Sequence, residues 1–346
     1  MRMTSDANKT GYRFLGQEVE GLDLPAFQVG IKWRGGDLQT MRNTIMGPVC
    51  RLEDEAERVF FDIGAPGRLS GALHRKDARA HLPLVVIIHG LTGDEGSPNV
   101  ISAASSLLEQ GYPVLRLNLR GAGPSVRTSQ GSYHAGMTED LAQVISQLHS
   151  RAYGAGIVLY GISLGGNMML KYLGEQGADA NILAAIGVST PLDLKAVQGR
   201  LMDARNAMYH NYLLLGMKKY AKRLTGRVAA LHLEKAQAAA SILEYDDQYV
   251  APSHGMAGAE DYYRLQSSGV YLDKIRVPTL LIHAENDPWV PVESYYDHDW
   301  SGNDRLHVIV CNDGGHVGFH GKDSKVPWHE QAMARYLDHI LDLSQV

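Results

Sequence analysis

One serine stands among glycines in the segment LYGISLGGNMML, residues 159–170. Its centre, GISLG, is a G-x-S-x-G motif between an apolar strand-like run and a helix-like run. A tight strand-to-helix turn needs small neighbours and would expose the Ser163 hydroxyl at a helix N-terminus. We therefore predict Ser163 as a nucleophile and the Leu164 N–H as a donor to an oxyanion. The alternative is a chance motif, in a chain of 37 glycines, whose serine only caps a helix.

A serine hydroxyl is a weak nucleophile unless a base, most often histidine, removes its proton. His316 lies in CNDGGHVGF, directly after the strand-like run LHVIV, where Gly314 and Gly315 would let the loop return over Ser163. We predict His316 as this base. Three other histidines are weaker candidates because they lie farther from a strand end: His298, His320 and His329.

The histidine in turn needs a carboxylate that orients it. In the fold where this serine motif occurs, the chain order is serine, acid, histidine, with the acid after a later strand. The segment PTLLIHAENDPWVP offers Asp287 before a proline, and we predict Asp287 as the acid. Glu285 is the nearest alternative and Asp313 a more distant one, whereas an Asx turn would give Asp287 a structural role only.

A second oxyanion donor is expected from the loop after an earlier strand. The sequence LVVIIHGLTG places the loop of residues 89–93 there, and the Leu91 N–H is the candidate. A glycine-rich loop without a catalytic role is the alternative.

Short apolar runs alternate with helical patterns from about residue 82 onward, which is typical of βαβ units with a mainly parallel sheet. Six runs predict strands that are covered on both faces: residues 84–89, 113–119, 157–160, 183–188, 279–283 and 306–310. Four segments predict helices between them: residues 100–110, 138–150, 164–175 and 328–343. Upstream, residues 58–62 and 68–73 flank a Gly-Ala-Pro-Gly turn and predict an antiparallel hairpin at the sheet edge.

A stretch of about eighty residues interrupts this alternation with runs such as MKKYAKRL and LEKAQAAASIL. This stretch begins after one core strand and ends before the next. It should therefore lie over the carboxyl ends of the strands, where α/β sheets bind ligands. We expect an N-terminal extension over residues 1–45, an α/β core over residues 46–190 and 276–346, and a helical cap insertion over residues 191–275. Several cap residues could line an acyl pocket or simply pack a helix core: Met208, Tyr209, Tyr212, Leu213, Leu214 and Leu215.

Composition argues against several other classes of protein. The net charge of -5 over 346 residues gives no reason to expect a nucleic-acid partner. Cys50 and Cys311 lie far apart, which predicts free thiols, and no convincing metal-ligand set or phosphate loop is visible. No segment reaches the length of a membrane span, and the polar N-terminus leads us to expect a cytoplasmic location.

Beyond these single motifs, the chain resembles the YheT-like family of α/β-hydrolases. The resemblance is carried by HGLTG from His89, NLRGAG from Asn118, YHAGMTED from Tyr133, YGISLGGNMMLKYLGE from Tyr160, HAENDPWVP from His283 and GGHVGF from Gly314. GGDLQTM from Gly35 and ILEYDDQYVAPSHGMAGAEDYY from Ile242 are similar too. The resemblance therefore spans most of the chain.

The resemblance implies an α/β-hydrolase fold with a helical cap, serine carboxylesterase chemistry on a small-molecule ester, and no metal or organic cofactor. The family's triad falls on Ser163, Asp287 and His316. Asp37 and Asn286 depart from the family pattern in ways that could alter substrate preference. The same triad could also serve a lipase, phospholipase, thioesterase or acyltransferase, and the fold could be a ligand-binding scaffold without catalysis. The natural ester and the oligomeric state stay open.

Overall fold

The computed structural model describes residues 10–47, 52, 56–64, 67–75, 78–79, 81–151 and 155–342. Nine strands form one sheet: β1 Tyr12–Leu15, β2 Glu57–Asp62, β3 Arg68–His74, β4 Leu84–Ile88, β5 Val114–Asn118, β6 Ile157–Ile162, β7 Ala184–Val188, β8 Thr279–Ala284 and β9 Leu306–Cys311. All six predicted core strands are present, with ends that differ by one or two residues.

The sheet has the strand order β1-β9-β8-β7-β6-β4-β5-β3-β2. Strands β4 to β9 run parallel to one another, whereas β3 pairs antiparallel with β5 and with β2. The predicted edge hairpin is thus confirmed, although two residues of its turn, 65 and 66, lie outside the described part. At the opposite edge β1 pairs antiparallel with β9. The segment expected to form an N-terminal extension therefore adds a strand to the sheet. With only four residues, β1 carries too little pattern to be predicted from the sequence.

Helices cover both faces of the sheet and connect its strands. Their bounds are α1 Gly36–Met46, α2 Pro98–Glu109, α3 Thr138–Arg151, α4 Leu164–Gln176, α5 Leu194–Met202, α6 Ala207–Arg223, α7 Ala230–Ala238, α8 Ile242–Tyr245, α9 Ala251–Ser253, α10 Ala259–Gln266, α11 Glu293–Tyr296 and α12 Trp328–Ile340. The four predicted helices correspond to α2, α3, α4 and α12. Residue 343, the predicted end of the last one, lies outside the described residues.

Two apolar clusters, one on each face of the sheet, form the core. In β6, Leu159 belongs to one cluster, whereas Val158 and Tyr160 belong to the other. Successive side chains of a strand point to opposite faces, so a strand buried on both sides reads as a continuous apolar run. This burial explains why the core strands were recognisable in the sequence.

The segment between β7 and β8 contains helices α5 to α10, with a π-helical turn, Asp246–Val250, between α8 and α9. Helix α5 begins at an N-cap, Asp193, whose carboxylate accepts hydrogen bonds from the N–H groups of Lys195 and Ala196. We propose that residues 191–275 act as a cap over the carboxyl ends of the strands.

Helix α1 packs against the loop that follows β9. The buried Gln39 amide donates to the His320 carbonyl at 3.0 Å and accepts from the His320 N–H at 2.7 Å. Buried Cys311, at the end of β9, has a free thiol, whereas Cys50 lies outside the described residues. Among the described residues, none of the helices is both long and apolar enough to span a membrane.

Candidate active site

Ser163 occupies the turn between β6 and α4 in a strained backbone conformation. Its φ and ψ are 52° and -120°, and its N–H donates to the Val188 carbonyl at 2.9 Å. A Cβ atom on Gly161 would lie 2.5 Å from the Gly166 Cα, which leaves no room for a side chain there. The Ser163 side chain makes no capping bond to α4, so the interpretation as a simple helix cap is wrong.

Gly165 shows how strongly this turn depends on glycine. A Cβ atom there would lie 2.6 Å from the His89 carbonyl oxygen and would also overlap the Ile88 carbonyl. Because both obstacles are backbone atoms of the sheet, we expect Gly165→Ala to lower the free energy of unfolding by about 3 kcal/mol or more. Urea unfolding followed by circular dichroism measures this effect. Gly199→Ala is the control, since a Cβ on that glycine meets nothing within 4 Å; equal stability of the two variants would contradict the prediction.

The structure brings Ser163, His316 and Asp287 together, although they are far apart in sequence. The distance from His316 Nε2 to Ser163 Oγ is 2.9 Å. On the other side of the ring, His316 Nδ1 lies 2.9 Å from Asp287 Oδ2. The geometry is that of a nucleophile, a base and a carboxylate that orients the base.

The competing histidines and acids have other partners. His329 Nδ1 lies 3.0 Å from the Tyr160 hydroxyl, and His298 lies beside Asp273. Glu285 accepts from Arg13 and Tyr296, and Asp313 accepts from the N–H groups of Gly35 and Gly314 and from the Asn286 amide. Gln39 holds His320 through its backbone N–H and carbonyl, and the His320 ring Nε2 has no partner among the described residues. None of these side chains contacts the Ser163 hydroxyl in the described part of the chain.

Asp287 is fully buried, and its carboxylate is well supplied with donors. Oδ1 accepts from the N–H groups of Trp289 and Val290 at 2.8 and 3.0 Å, while Oδ2 faces His316. Burial alone would raise the pKa of this carboxyl. The positive charge that His316 can carry, together with these hydrogen bonds, nevertheless holds the pKa below its ordinary value. The carboxylate therefore stays ionised next to the imidazole.

The loop that carries His316 is held from several sides. The His316 N–H donates to Thr40 Oγ1 at 2.8 Å, and the Gly315 N–H donates to Asn286 Oδ1 at 3.1 Å. Above the ring, the Trp289 indole stacks on the imidazole with centroids 4.3 Å apart. Thr40 and Trp289 were missed in the sequence because a positioning role leaves no local motif.

The two positions noted as departures in the sequence resemblance, Asp37 and Asn286, also make contacts here. Asn286 supports the histidine loop, as described above. Asp37, on α1, accepts from the Tyr209 hydroxyl and from Arg205, both at 2.9 Å. It therefore links α1 to α6 of the helical segment rather than facing Ser163.

Two residues proposed as oxyanion donors, Leu91 and Leu164, line the cavity at Ser163. Leu91 follows β4, and Leu164 is the first residue of α4. Within the residues that the structure describes, neither N–H is engaged in a hydrogen bond. At Gly90, next to Leu91, a Cβ would lie only 3.4 Å from the Ser163 Cβ. The prediction that both groups donate to an oxyanion therefore stays a prediction, with both N–H groups unoccupied.

Buried His89 holds the loop that carries Leu91. Its Nε2 accepts from the Leu119 N–H at 3.2 Å, so the ring proton sits on Nδ1, 2.8 Å from the Gly90 carbonyl. Burial lowers the pKa of His89 and keeps the ring neutral. Because the carbonyl and N–H of one peptide point in opposite directions, fixing Gly90 also fixes the Leu91 N–H.

A cavity of about 330 Å³ surrounds Ser163 and His316. Much of its wall is apolar and comes from α1, α5, α6 and the loops at the strand ends. The apolar lining includes Met41, Leu91, Leu194, Val197, Leu201, Leu213, Met217, Trp289 and Val317. Of the cap residues singled out in the sequence, Tyr212 and Leu213 line the cavity. Tyr209 and Leu214 are buried, and Met208 and Leu215 are exposed.

No cluster of three or more His, Cys, Asp or Glu side chains suited to a metal ion occurs among the described residues.

Comparison with known proteins shows the family of this chain. The family model described as "alpha/beta hydrolase fold" matches residues 83–323. The Escherichia coli protein named "Putative esterase YheT" is 32% identical over 267 residues, which cover 76% of this chain and 78% of that protein. Monoacylglycerol lipase of Saccharomyces cerevisiae is 28% identical over 278 residues, covering 77% of this chain and 60% of the relative.

Among solved structures, an esterase from Pyrococcus furiosus aligns with a TM-score of 0.54 at 18% identity, covering 82% of this chain and 90% of that one. At this identity the likeness concerns the fold alone. The match of the family model and the identity to YheT agree with the resemblance noted in the sequence. The chain belongs to the α/β-hydrolase family and, within it, to the YheT-like members.

Proposed function

We propose that this protein is a serine carboxylesterase that hydrolyses small-molecule carboxylic esters through an acyl-enzyme on Ser163. The observation that carries the proposal is the continuous chain of contacts from Ser163 Oγ through His316 to Asp287, at 2.9 Å for each step. The names of the relatives from Escherichia coli and yeast, an esterase and a lipase, support ester bonds as the substrate class.

In the first step Ser163 Oγ attacks the ester carbonyl carbon, and its proton moves to His316 Nε2. Asp287 accepts from Nδ1 and stabilises the imidazolium. The tetrahedral intermediate then collapses, the bond to the alcohol breaks, and the alcohol leaves with the proton from Nε2. The acyl group stays on Ser163.

In the second step a water molecule gives its proton to His316 Nε2 and attacks the acyl carbon. Collapse of this second intermediate releases the carboxylic acid, and the proton returns to Ser163 Oγ. The Leu91 and Leu164 N–H groups would donate to the negative oxygen in both intermediates, and the N-terminus of α4 adds its favourable dipole. One donor of this kind contributes about 100-fold to 1,000-fold in turnover.

The wall of the cavity indicates which acyl groups fit. Apolar side chains from the core and from the cap segment surround the space next to Ser163, so an apolar acyl chain would replace water there at a gain in free energy. A panel of 4-nitrophenyl esters from acetate to dodecanoate would define the preferred length and separate an esterase from a lipase of long-chain esters.

A serine-directed fluorophosphonate tests the proposed nucleophile directly. We expect one adduct per chain, on the tryptic peptide that contains Ser163, because the neighbouring imidazole makes this hydroxyl far more reactive than other serines. Intact-mass and peptide mass spectrometry would measure it, with heat-denatured protein as the control. An adduct at another serine, or none on folded protein, would contradict the assignment. Tight binding of esters without turnover would favour the non-catalytic scaffold instead.

A further inference from the structure

One carboxylate lines the cavity besides the groups at Ser163. Asp246 is the sole Asp or Glu among the described residues around this space, and the residue is only 7% exposed. It lies at the start of the π-helical turn, Asp246–Val250. Such turns are rare and are frequent at functional sites, since they displace a side chain from the regular helical path.

The Asp246 carboxyl is only partly satisfied by the protein. The Tyr263 hydroxyl donates to Oδ2 at 2.8 Å. For Oδ1, the described residues supply no hydrogen-bond partner. Oδ1 is not fully enclosed, and the residue lines the cavity at Ser163. A hydroxyl group of a ligand in this space can therefore donate to Oδ1 in place of water.

The electrostatic surroundings of the Asp246 carboxyl favour an uncharged hydrogen-bond donor, such as a hydroxyl group, over a cation. Burial raises the pKa of Asp246 to about 7, against the opposing effect of the Tyr263 hydrogen bond. No cationic side chain pairs with it in the described structure. The carboxyl is therefore not held in its charged form by the protein, and a hydroxyl can bond to either protonation state.

A small side cavity sets the size of the group that fits. It has a volume of about 30 Å³ and shares Leu91, Leu164 and Asp246 with the cavity at Ser163. Since one water needs roughly 10–15 Å³ on this measure, the space admits a hydroxyl or hydroxymethyl group but not a trimethylammonium group. The shared residues Leu91 and Leu164 place the side cavity next to the proposed oxyanion donors.

Two of the tyrosine hydroxyls around the side cavity are engaged by the backbone, whereas that of Tyr249 has no partner among the described residues. The Tyr220 hydroxyl donates to the Arg120 carbonyl at 2.8 Å, and the Tyr245 hydroxyl donates to the Met217 carbonyl at 3.1 Å. The single protons of Tyr220 and Tyr245 are used, so neither hydroxyl can donate to Asp246 Oδ1, and the described residues give Oδ1 no other donor.

We propose that Asp246 binds a free hydroxyl group of the ester substrate, close to the scissile bond, so that the enzyme prefers hydroxylated esters to unsubstituted ones. The inference rests on the proposed esterase function and adds the substrate class. The hydroxyl could belong to the alcohol part, as in a polyol monoester, or to the acyl part, as in a hydroxyacyl ester.

Three esters of similar size separate these sources: ethyl butyrate, 2-hydroxyethyl butyrate and ethyl 3-hydroxybutyrate. We expect the wild-type enzyme to show a kcat/KM for one hydroxylated ester at least about 10-fold above that for ethyl butyrate. In Asp246→Leu this ratio should fall by about 10-fold or more, chiefly through KM, because the hydroxyl then meets an apolar group. The ester that loses its advantage identifies the side on which the hydroxyl lies.

The control is Glu260→Gln, which neutralises an exposed carboxylate on α10 that pairs with Lys195. It should keep the wild-type ratio. If Asp246→Leu does not fold, Asp246→Asn replaces it. Its Oδ1 can accept from Tyr263, which leaves an amide NH₂ that cannot accept from the substrate, so a several-fold loss is expected.

An unchanged ratio in a folded Asp246 variant would overturn the proposal while leaving the esterase function intact. A wild-type preference for ethyl butyrate would overturn it as well. If the wild-type protein hydrolysed none of the three esters and Ser163 took no fluorophosphonate, the proposed function itself would be wrong.

Discussion

Replacing Ser163 with alanine is expected to lower kcat for 4-nitrophenyl butyrate by about 10⁴-fold to 10⁶-fold. Alanine lacks the Oγ that lies 2.9 Å from His316 Nε2, so no acyl-enzyme can form. The remaining rate would come from water attacking an ester held by the cavity and by the peptide N–H groups of Leu91 and Leu164. Steady-state hydrolysis with protein free of contaminating esterases measures the effect.

The variant should remain folded. The substitution removes one oxygen and keeps a Cβ at a position that already has a φ of 52°. Ser150→Ala, in which an exposed serine on α3 is changed, is the matched control and should retain wild-type kcat. A folded Ser163→Ala protein with wild-type activity would refute the proposed nucleophile, whatever the state of the other residues.

Replacing Asp287 with asparagine is expected to reduce kcat by about 10⁴-fold, with a much smaller change in KM. The reason lies in the two backbone donors to Asp287 Oδ1. Because the N–H groups of Trp289 and Val290 require an acceptor, the asparagine oxygen should take that place. Its NH₂ group would then face His316 Nδ1 and favour the tautomer with the proton on Nε2, which cannot accept the proton of Ser163.

Glu285→Gln is the matched control, since Glu285 lies two residues earlier in the same loop. Its carboxylate binds Arg13 and Tyr296 rather than His316, so its loss should change kcat less than about threefold. The pH dependence gives a second measure. The lowered pKa of Asp287 means that the wild-type carboxylate stays ionised below its usual range, so its titration should not limit activity near neutral pH. Equal losses in the two variants would contradict the assignment of the acid.

The core of the fold could be predicted because its signals are local. The strands β4 to β9 are buried on both faces, and each therefore appears as a short apolar run between turn residues. The strand β1 could not be predicted, because four partly buried residues at a sheet edge carry little pattern. Helix α1 was missed for a related reason, because it contains few apolar residues and so has a weak helical pattern. Its position is fixed by contacts between distant segments, such as those of Gln39 with His320.

The sequence by itself determined the candidate nucleophile, acid and base, because Ser163, Asp287 and His316 each follow a recognisable strand in a fixed chain order. Only the tertiary structure decided what surrounds them. The hydrogen bond from His316 to Thr40 joins segments 276 residues apart, and Asp246, from the helical segment between β7 and β8, lines the same cavity as Ser163. Backbone turns are encoded by neighbouring residues, whereas the walls of a cavity come from segments that meet only after the chain has folded.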